Sequence, residues 1–215
     1  MTSDSLSRTE RASLCDLLDE VGPDAPTLCE GWNSRDLTAH LVIREARPDA
    51  SIGIVLKPME AWTERVQASA AKRPYADLVE AVRTGPPMLS FFALPGVDER
   101  ANTMEYFVHH EDVRRAQPDW TPRELPEQTR SDVWKWLKGS SKMLFRSAPM
   151  KVVLQPTDVP DFEIGVKAPP AGSIVLRGPV AELTMHAFGR DATTEVDILG
   201  DPIDVAAYGQ ARRGV

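Results

Sequence analysis

Near Met150 the pattern of the chain changes, and that change constrains the fold more than any single motif. Before it, apolar residues recur with the period of an α-helix. After it, short β-branched runs are bounded by Pro, Gly or Asp. In the first part, Leu14, Leu17, Leu18 and Val21 stand at i, i+3, i+4 and i+7, which predicts a helix over residues 7–21. Ser7 and Glu10 match a capping box at its start. "GPDAPTLCEGW" breaks the helix, and a second should begin with Asn33 as cap and Asp36 near its third position. Leu37, His40, Leu41 and Arg44 share one face of that second helix, and Pro48 closes it. "SIGIVLKP" reads as an extended link, "MEAWTERVQASAA" and "YADLVEAVRTG" as two further helices, and "LPGVDER" as a loop. "MEYFVHHEDVRRA" lies on the next helix, and "PEQTRSDVWKWLKGSSKMLF" follows with Pro126 at its first position.

Beyond Met150, "KVVLQ", "FEIGV", "SIVLRG" and "TTEVDILG" carry strand signals, with a helix in "GPVAELTMHAFGR" from Pro179 to Gly189. The expected fold is mainly α: a helical-bundle domain over residues 1–147, then a small α+β domain over 148–215. Hydrophobic residues at 42% and charged residues at 27% suit a packed core rather than disorder.

The charge balance narrows function. Lys and Arg number 25 against 32 Asp and Glu, a formal charge of −7. That argues against nucleic-acid backbones, which call for clustered cations. No run approaches the roughly 18 apolar residues of a membrane span, and the polar start "MTSDSLSRTERASL" carries no signal-peptide pattern, so the expected compartment is the cytoplasm. Cys15 and Cys29 fit no CxxC motif and read as buried or half-exposed thiols.

Two of the four histidines, His109 and His110, sit together in "MEYFVHHEDVRRA". On a helix, Glu105 and His109 are i and i+4 and cover one patch, Asp112 stays on that face, and His110 is turned by about 100°. Carboxylate with imidazole suits Zn²⁺ and is acceptable to Ni²⁺, Fe²⁺ or Mn²⁺. His40, on an otherwise apolar face, is the companion. If the two helices are neighbours, His40, Glu105 and His109 converge as a His₂Glu set with an open coordination position. The competing readings are a hydrogen-bonded core histidine and an ordinary solvated Glu/His pair.

"GWNSRDLTAHL", followed by "EYFVHHEDV", resembles the DinB-like metalloprotein superfamily, and within it the mycothiol-dependent maleylpyruvate isomerase-like proteins. The resemblance implies a DinB-like four-helix bundle with a sterol-carrier-like second domain. It implies metal ligands at His40, Glu105 and His109, with Asp112 as a trailing acid, and it extends to the Gly-Arg end of "GPVAELTMHAFGR". The stretch "RPDASIGIVLKPMEAW" resembles a subfamily of metal-binding proteins without an assigned reaction, so maleylpyruvate is not carried over as substrate.

Arg44, one turn beyond His40, is read either as an anion contact near the metal or as the partner of an acid at the core edge. Arg190 is read either as an anion clamp, matching the family's Gly-Arg, or as a cation favoured by a helix C-terminus. Trp32 should pack where the second helix begins, one of Trp134 and Trp136 should be core, and His186 should be packed. The expected function is a divalent-metal-binding protein, most simply zinc-dependent, acting as a thiol transferase or isomerase on a small-molecule substrate. Mycothiol is the cosubstrate that the resemblance implies, and Arg44 or Arg190 would steady developing negative charge. The alternatives are a non-catalytic binding module and a metal-dependent hydrolase. A homodimer is the oligomeric state considered.

Overall fold

The computed structural model describes residues 5–46, 60–86, 97–160, 164–166 and 172–211. The chain divides into two compact units, Met1–Thr121 and Pro122–Val215. It is mainly helical, a helical unit followed by a small α+β unit, as the periodicities predict.

The first unit holds α1 (Leu6–Val21), α2 (Ser34–Ala46), α3 (Glu60–Ala70), α4 (Tyr75–Thr84) and α5 (Val97–Arg114). Its core is drawn from four of them. Leu14, Cys15 and Leu18 of α1 meet Leu37 and Leu41 of α2, Val79 and Val82 of α4, and Tyr106 and Val113 of α5. Leu14, Leu18 and Leu37 are fully buried. Burying each stabilises by about 1.5–3 kcal/mol relative to exposure. Helix α3 packs along α2.

Two local expectations change. Helix α1 is capped by Ser5 with no side-chain cap bond. Glu10 instead reaches a buried tertiary partner, its Oε2 lying 2.8 Å from His110 Nδ1. "VDER" is not loop, because α5 already begins at Val97. The expected link "SIGIVLKP" lies outside the described residues. The α2 cap forms as read: Asn33 Oδ1 accepts from Asp36 N at 3.1 Å and Asp36 Oδ2 accepts from Asn33 N at 3.2 Å.

A buried polar tie crosses the bundle. Arg11 donates through both terminal nitrogens to Glu45, at 2.7 and 2.8 Å. Tyr106 Oη at 2.7 Å and Asn102 Nδ2 at 2.9 Å donate to the same carboxylate. Burial first, then the Glu45 charge, holds the Tyr106 hydroxyl well above its usual pKa.

The loop between α1 and α2 is folded rather than slack. Pro26 and Asn33 form an isolated bridge, Thr27 Oγ1 donates to Trp32 O at 2.8 Å, and Leu28 N donates to Asp112 O at 3.0 Å. That last bond ties the loop to the end of α5.

The second unit holds α6 (Glu127–Leu144), β1 (Lys151–Pro156), β2 (Ile164–Val166), β3 (Ser173–Gly178), α7 (Val180–Ala187), β4 (Asp197–Gly200) and α8 (Pro202–Gly209). The strand order is β2-β1-β3-β4; β1 and β3 run parallel and the outer pairs antiparallel. Val152, Leu154, Ile174 and Leu176 are fully buried, as are Val180, Leu183, Met185 and Ala187 of α7. Pro126 and Pro179 stand as N-caps, each one residue before its helix, so Pro126 is not at the first helical position. Trp134 is core and Trp136 stacks on Phe188 at 5.9 Å. His186 is buried, with Nε2 3.1 Å from Tyr208 Oη and Nδ1 3.3 Å from Asp191 Oδ1.

Candidate metal centre

Helices α2 and α5 supply the three side chains singled out by spacing. The capped first turn of α2 sets the phase that places His40 against α5, and Glu105 and His109 stand one turn apart on α5. His40 Nε2 and His109 Nε2 each lie 3.3 Å from the same atom, Glu105 Oε1. One ligand atom from each residue lies within 4.8 Å of the others. The two imidazole rings meet edge-on, with centroids 5.6 Å apart and planes at 75°. Side-chain exposure is 12% for each histidine and 23% for Glu105, so the cluster lies at the bundle's edge rather than sealed inside it. Trp32 packs beside His40, ring centroids 5.0 Å apart.

The three groups are shifted in different directions. Burial acts to raise the Glu105 pKa, but hydrogen bonds from His109 and His40 and the charge of Arg44 overcome it and hold the carboxyl well below its usual range. Burial lowers the His40 pKa and outweighs the pull of Glu105, which favours the neutral ring. His109 goes the other way. Burial opposes its charge, yet bonds to Asp112, Cys29 and Glu105 raise its pKa well above the ordinary value.

The back of the His109 ring is equally built. Asp112 is fully buried, and its Oδ2 lies 2.9 Å from His109 Nδ1. With the Nδ1 proton on that bond, Nε2 is left for Glu105 and His40. This is the carboxylate–histidine arrangement that orients metal-ligating imidazoles. Cys29 Sγ donates to the same Oδ2 at 3.2 Å and lies 3.8 Å from His109 Nδ1. Nothing in the spacing of the sequence marks Cys29 as part of a site. It arrives because the loop between α1 and α2 is pinned to the Asp112 carbonyl.

His110 points elsewhere, into the buried pair with Glu10. Arg44 Nε lies 3.1 Å from Glu105 Oε1, and its Nη1 donates to Asn102 Oδ1. Both histidines and Arg44 thus address one carboxylate oxygen. Arg190 belongs to the second unit, where its Nη1 donates to the Phe188 carbonyl at 2.7 Å. Two imidazole nitrogens and an ionised carboxylate oxygen are donors that suit zinc and neighbouring divalent metals, so the residues present fit such a cation.

A crystal structure of the mycothiol-dependent maleylpyruvate isomerase matches over 90% of each chain, with a TM-score of 0.60 and 15% identity. A histidine-to-alanine mutant of that enzyme matches over the same shares, with a TM-score of 0.61 and 16% identity. The fold is that of a mycothiol-dependent maleylpyruvate isomerase. No family model and no curated protein matches the chain. No described helix is long and apolar enough to cross a membrane.

Proposed function

We propose that this protein is a divalent-metal-dependent enzyme, with zinc in its His40–Glu105–His109 centre, that transfers or isomerises with the help of a low-molecular-weight thiol. The observation that carries the reading is the meeting of His40 Nε2, His109 Nε2 and Arg44 Nε on one oxygen of Glu105. His40, Glu105 and His109 would hold a divalent cation there, and the chemistry it would supply is Lewis acidity toward a thiol or water.

The protein's own residues have separate tasks. Glu105 and the two rings would hold the cation. Asp112 fixes the His109 tautomer by accepting a hydrogen bond from its Nδ1–H. Arg44 keeps Glu105 ionised and holds its orientation, because a guanidinium 3.1 Å away stabilises the carboxylate. Trp32 shields one side of His40 from water. Arg44 is also the cation we assign to an anionic substrate beside that centre. The fold shared with a thiol-dependent isomerase supports mycothiol as the thiol.

The test uses protein purified without an affinity tag. Elemental analysis should find about one divalent metal per chain, and electrophile consumption should require both metal and thiol. Turnover that survives complete chelation would sink the reading. Stoichiometric metal with no turnover over a broad panel of thiols and electrophiles would replace it with a non-catalytic binding module.

A further inference from the structure

The His109 ring faces two donor sets, one on each nitrogen. Nε2 meets Glu105 and His40, while Nδ1 meets Asp112 and Cys29. The second set is as compact as the first. Cys29 Sγ, His109 Nδ1 and Asp112 Oδ2 are separated by 3.2, 2.9 and 3.8 Å around the triangle. A point equidistant from three atoms so placed lies about 2 Å from each, which matches zinc bonds to nitrogen and oxygen and needs a small outward shift for sulfur. His109 and Asp112 stand one turn apart on α5, Cys29 comes from the distant α1–α2 loop, and that loop is held in place by Leu28 N on Asp112 O.

We propose that Cys29, Asp112 and His109 Nδ1 form a second metal site, selective for a thiophilic divalent cation such as Zn²⁺ or Cd²⁺. Thiolate selects soft metals, whereas the imidazole–carboxylate set on the other face accepts a wider range. Binding exchanges protons for the cation: the Cys29 thiol proton and the proton on Nδ1 leave, and two ligand bonds take their place. A neutral imidazole offers one lone pair, so the ring serves one site at a time. When Nδ1 binds a cation, the remaining N–H points at Glu105, and the His₂Glu set loses a ligand. A soft cation at Cys29 therefore competes with the cation proposed for function, and the loop holding Cys29 becomes a selectivity and inhibition element. Only this competition rests on the functional reading; the site's own donors do not.

Cobalt(II) is the probe, because thiolate ligation adds a near-ultraviolet charge-transfer band that imidazole and carboxylate ligands lack. His40→Ala removes a ligand from the first site and none from the second. Saturated with cobalt, that variant should show the thiolate band at one equivalent, and His40→Ala/Cys29→Ser should lose it. Cys29→Ser alone should keep one equivalent of cobalt without the band. If the His40→Ala variant fails to fold, Glu105→Gln, which also removes a ligand from the first set only, gives the same comparison against Glu105→Gln/Cys29→Ser. Absence of the band in the folded first-set variant overturns the proposal, as does a band that persists once Cys29 is Ser. The functional reading fails differently: cobalt spectra that do not change on His40→Ala would remove the His₂Glu centre and leave the thiolate site standing.

Discussion

Glu45 and Glu105 are two carboxylates on facing helices of the same bundle, and they have opposite surroundings. Glu45 is 4% exposed and takes two hydrogen bonds from Arg11, one from Asn102 and one from Tyr106. None of these partners readily becomes a metal ligand, and a cation placed there would face a guanidinium. Glu105 has Arg44 as well, but its other partners are two imidazoles that turn from proton donors into ligands by losing a proton. Residue type and burial alone do not separate a structural tie from a site. The chemistry of the neighbours does.

The sharpest way to break this comparison is to remove ligands around Glu105. His109→Ala should abolish stoichiometric metal binding, because its ring serves both donor sets, whereas His40→Ala should empty the His₂Glu centre and leave only the thiophilic site at Cys29. His110→Ala should leave metal content intact, because His110 is spent on Glu10, although it loosens the tie between α1 and α5. Metal content by elemental analysis decides, with folding followed by circular dichroism. Metal retained in His109→Ala and lost in His110→Ala would reverse the assignment of the two faces.

The converse applies to Glu45. Glu45→Gln leaves the buried Arg11 charge without its carboxylate, and breaking such a pair costs about 3–5 kcal/mol. Denaturant titration should show that loss, while the folded fraction binds metal at the wild-type stoichiometry. A variant that is fully stable yet metal-free would mean that Glu45, not Glu105, is the functional carboxylate.

The contrast between the two acids is only half legible in the sequence. The three donors at positions 40, 105 and 109 can be read from helical spacing, because one period fixes which side chains share a patch and an apolar face fixes which way His40 points. Arg44 falls on that same face. What spacing cannot show is partnership across long stretches of chain. Ser7 and Glu10 match a capping box, yet the carboxylate gains more from a buried bond to His110 than from an exposed helix end. Cys29 reaches Asp112 through a loop whose course depends on three tertiary and turn hydrogen bonds, and no period describes it. In the second unit the β-branched runs mark the strands, but the parallel pairing of β1 with β3 depends on packing rather than on local signals. Helix α8 did leave a mark, since Asp201 before Pro202 is a cap followed by a first-turn proline, and Asp201 Oδ1 accepts from Ile203 N at 2.8 Å.

A finer test addresses the support behind His109. Asp112→Asn keeps the shape but replaces the carboxylate that accepts from Nδ1–H, and the new amide can present N–H to the ring instead. The ring's preferred tautomer then turns its lone pair away from Glu105. Loss of such an orienting partner typically costs about 10–100-fold in metal affinity. Competition titration with a chromophoric chelator measures it. Unchanged affinity in Asp112→Asn would mean that the ring is oriented by packing alone.

The smallest effect is continuous rather than all-or-none. Before a cation binds, His109 carries a proton that its neighbours hold well above the ordinary histidine pKa, whereas burial favours the neutral His40 ring and Glu105 is ionised. A cation must displace that one proton from His109. Its affinity should therefore rise with pH, about tenfold per pH unit, up to the raised pKa of His109, and level off beyond it. The sign follows from the competitor: lowering the pH supplies more of it. An ordinary histidine would make the curve flatten above about pH 6.5, whereas the raised pKa of His109 carries the slope to higher pH. Calorimetry in buffers of different ionisation heat should count about one proton released per metal bound at neutral pH. A flat affinity across the neutral range would show that His109 enters the site already neutral, and that the bonds from Asp112, Cys29 and Glu105 orient the ring without charging it.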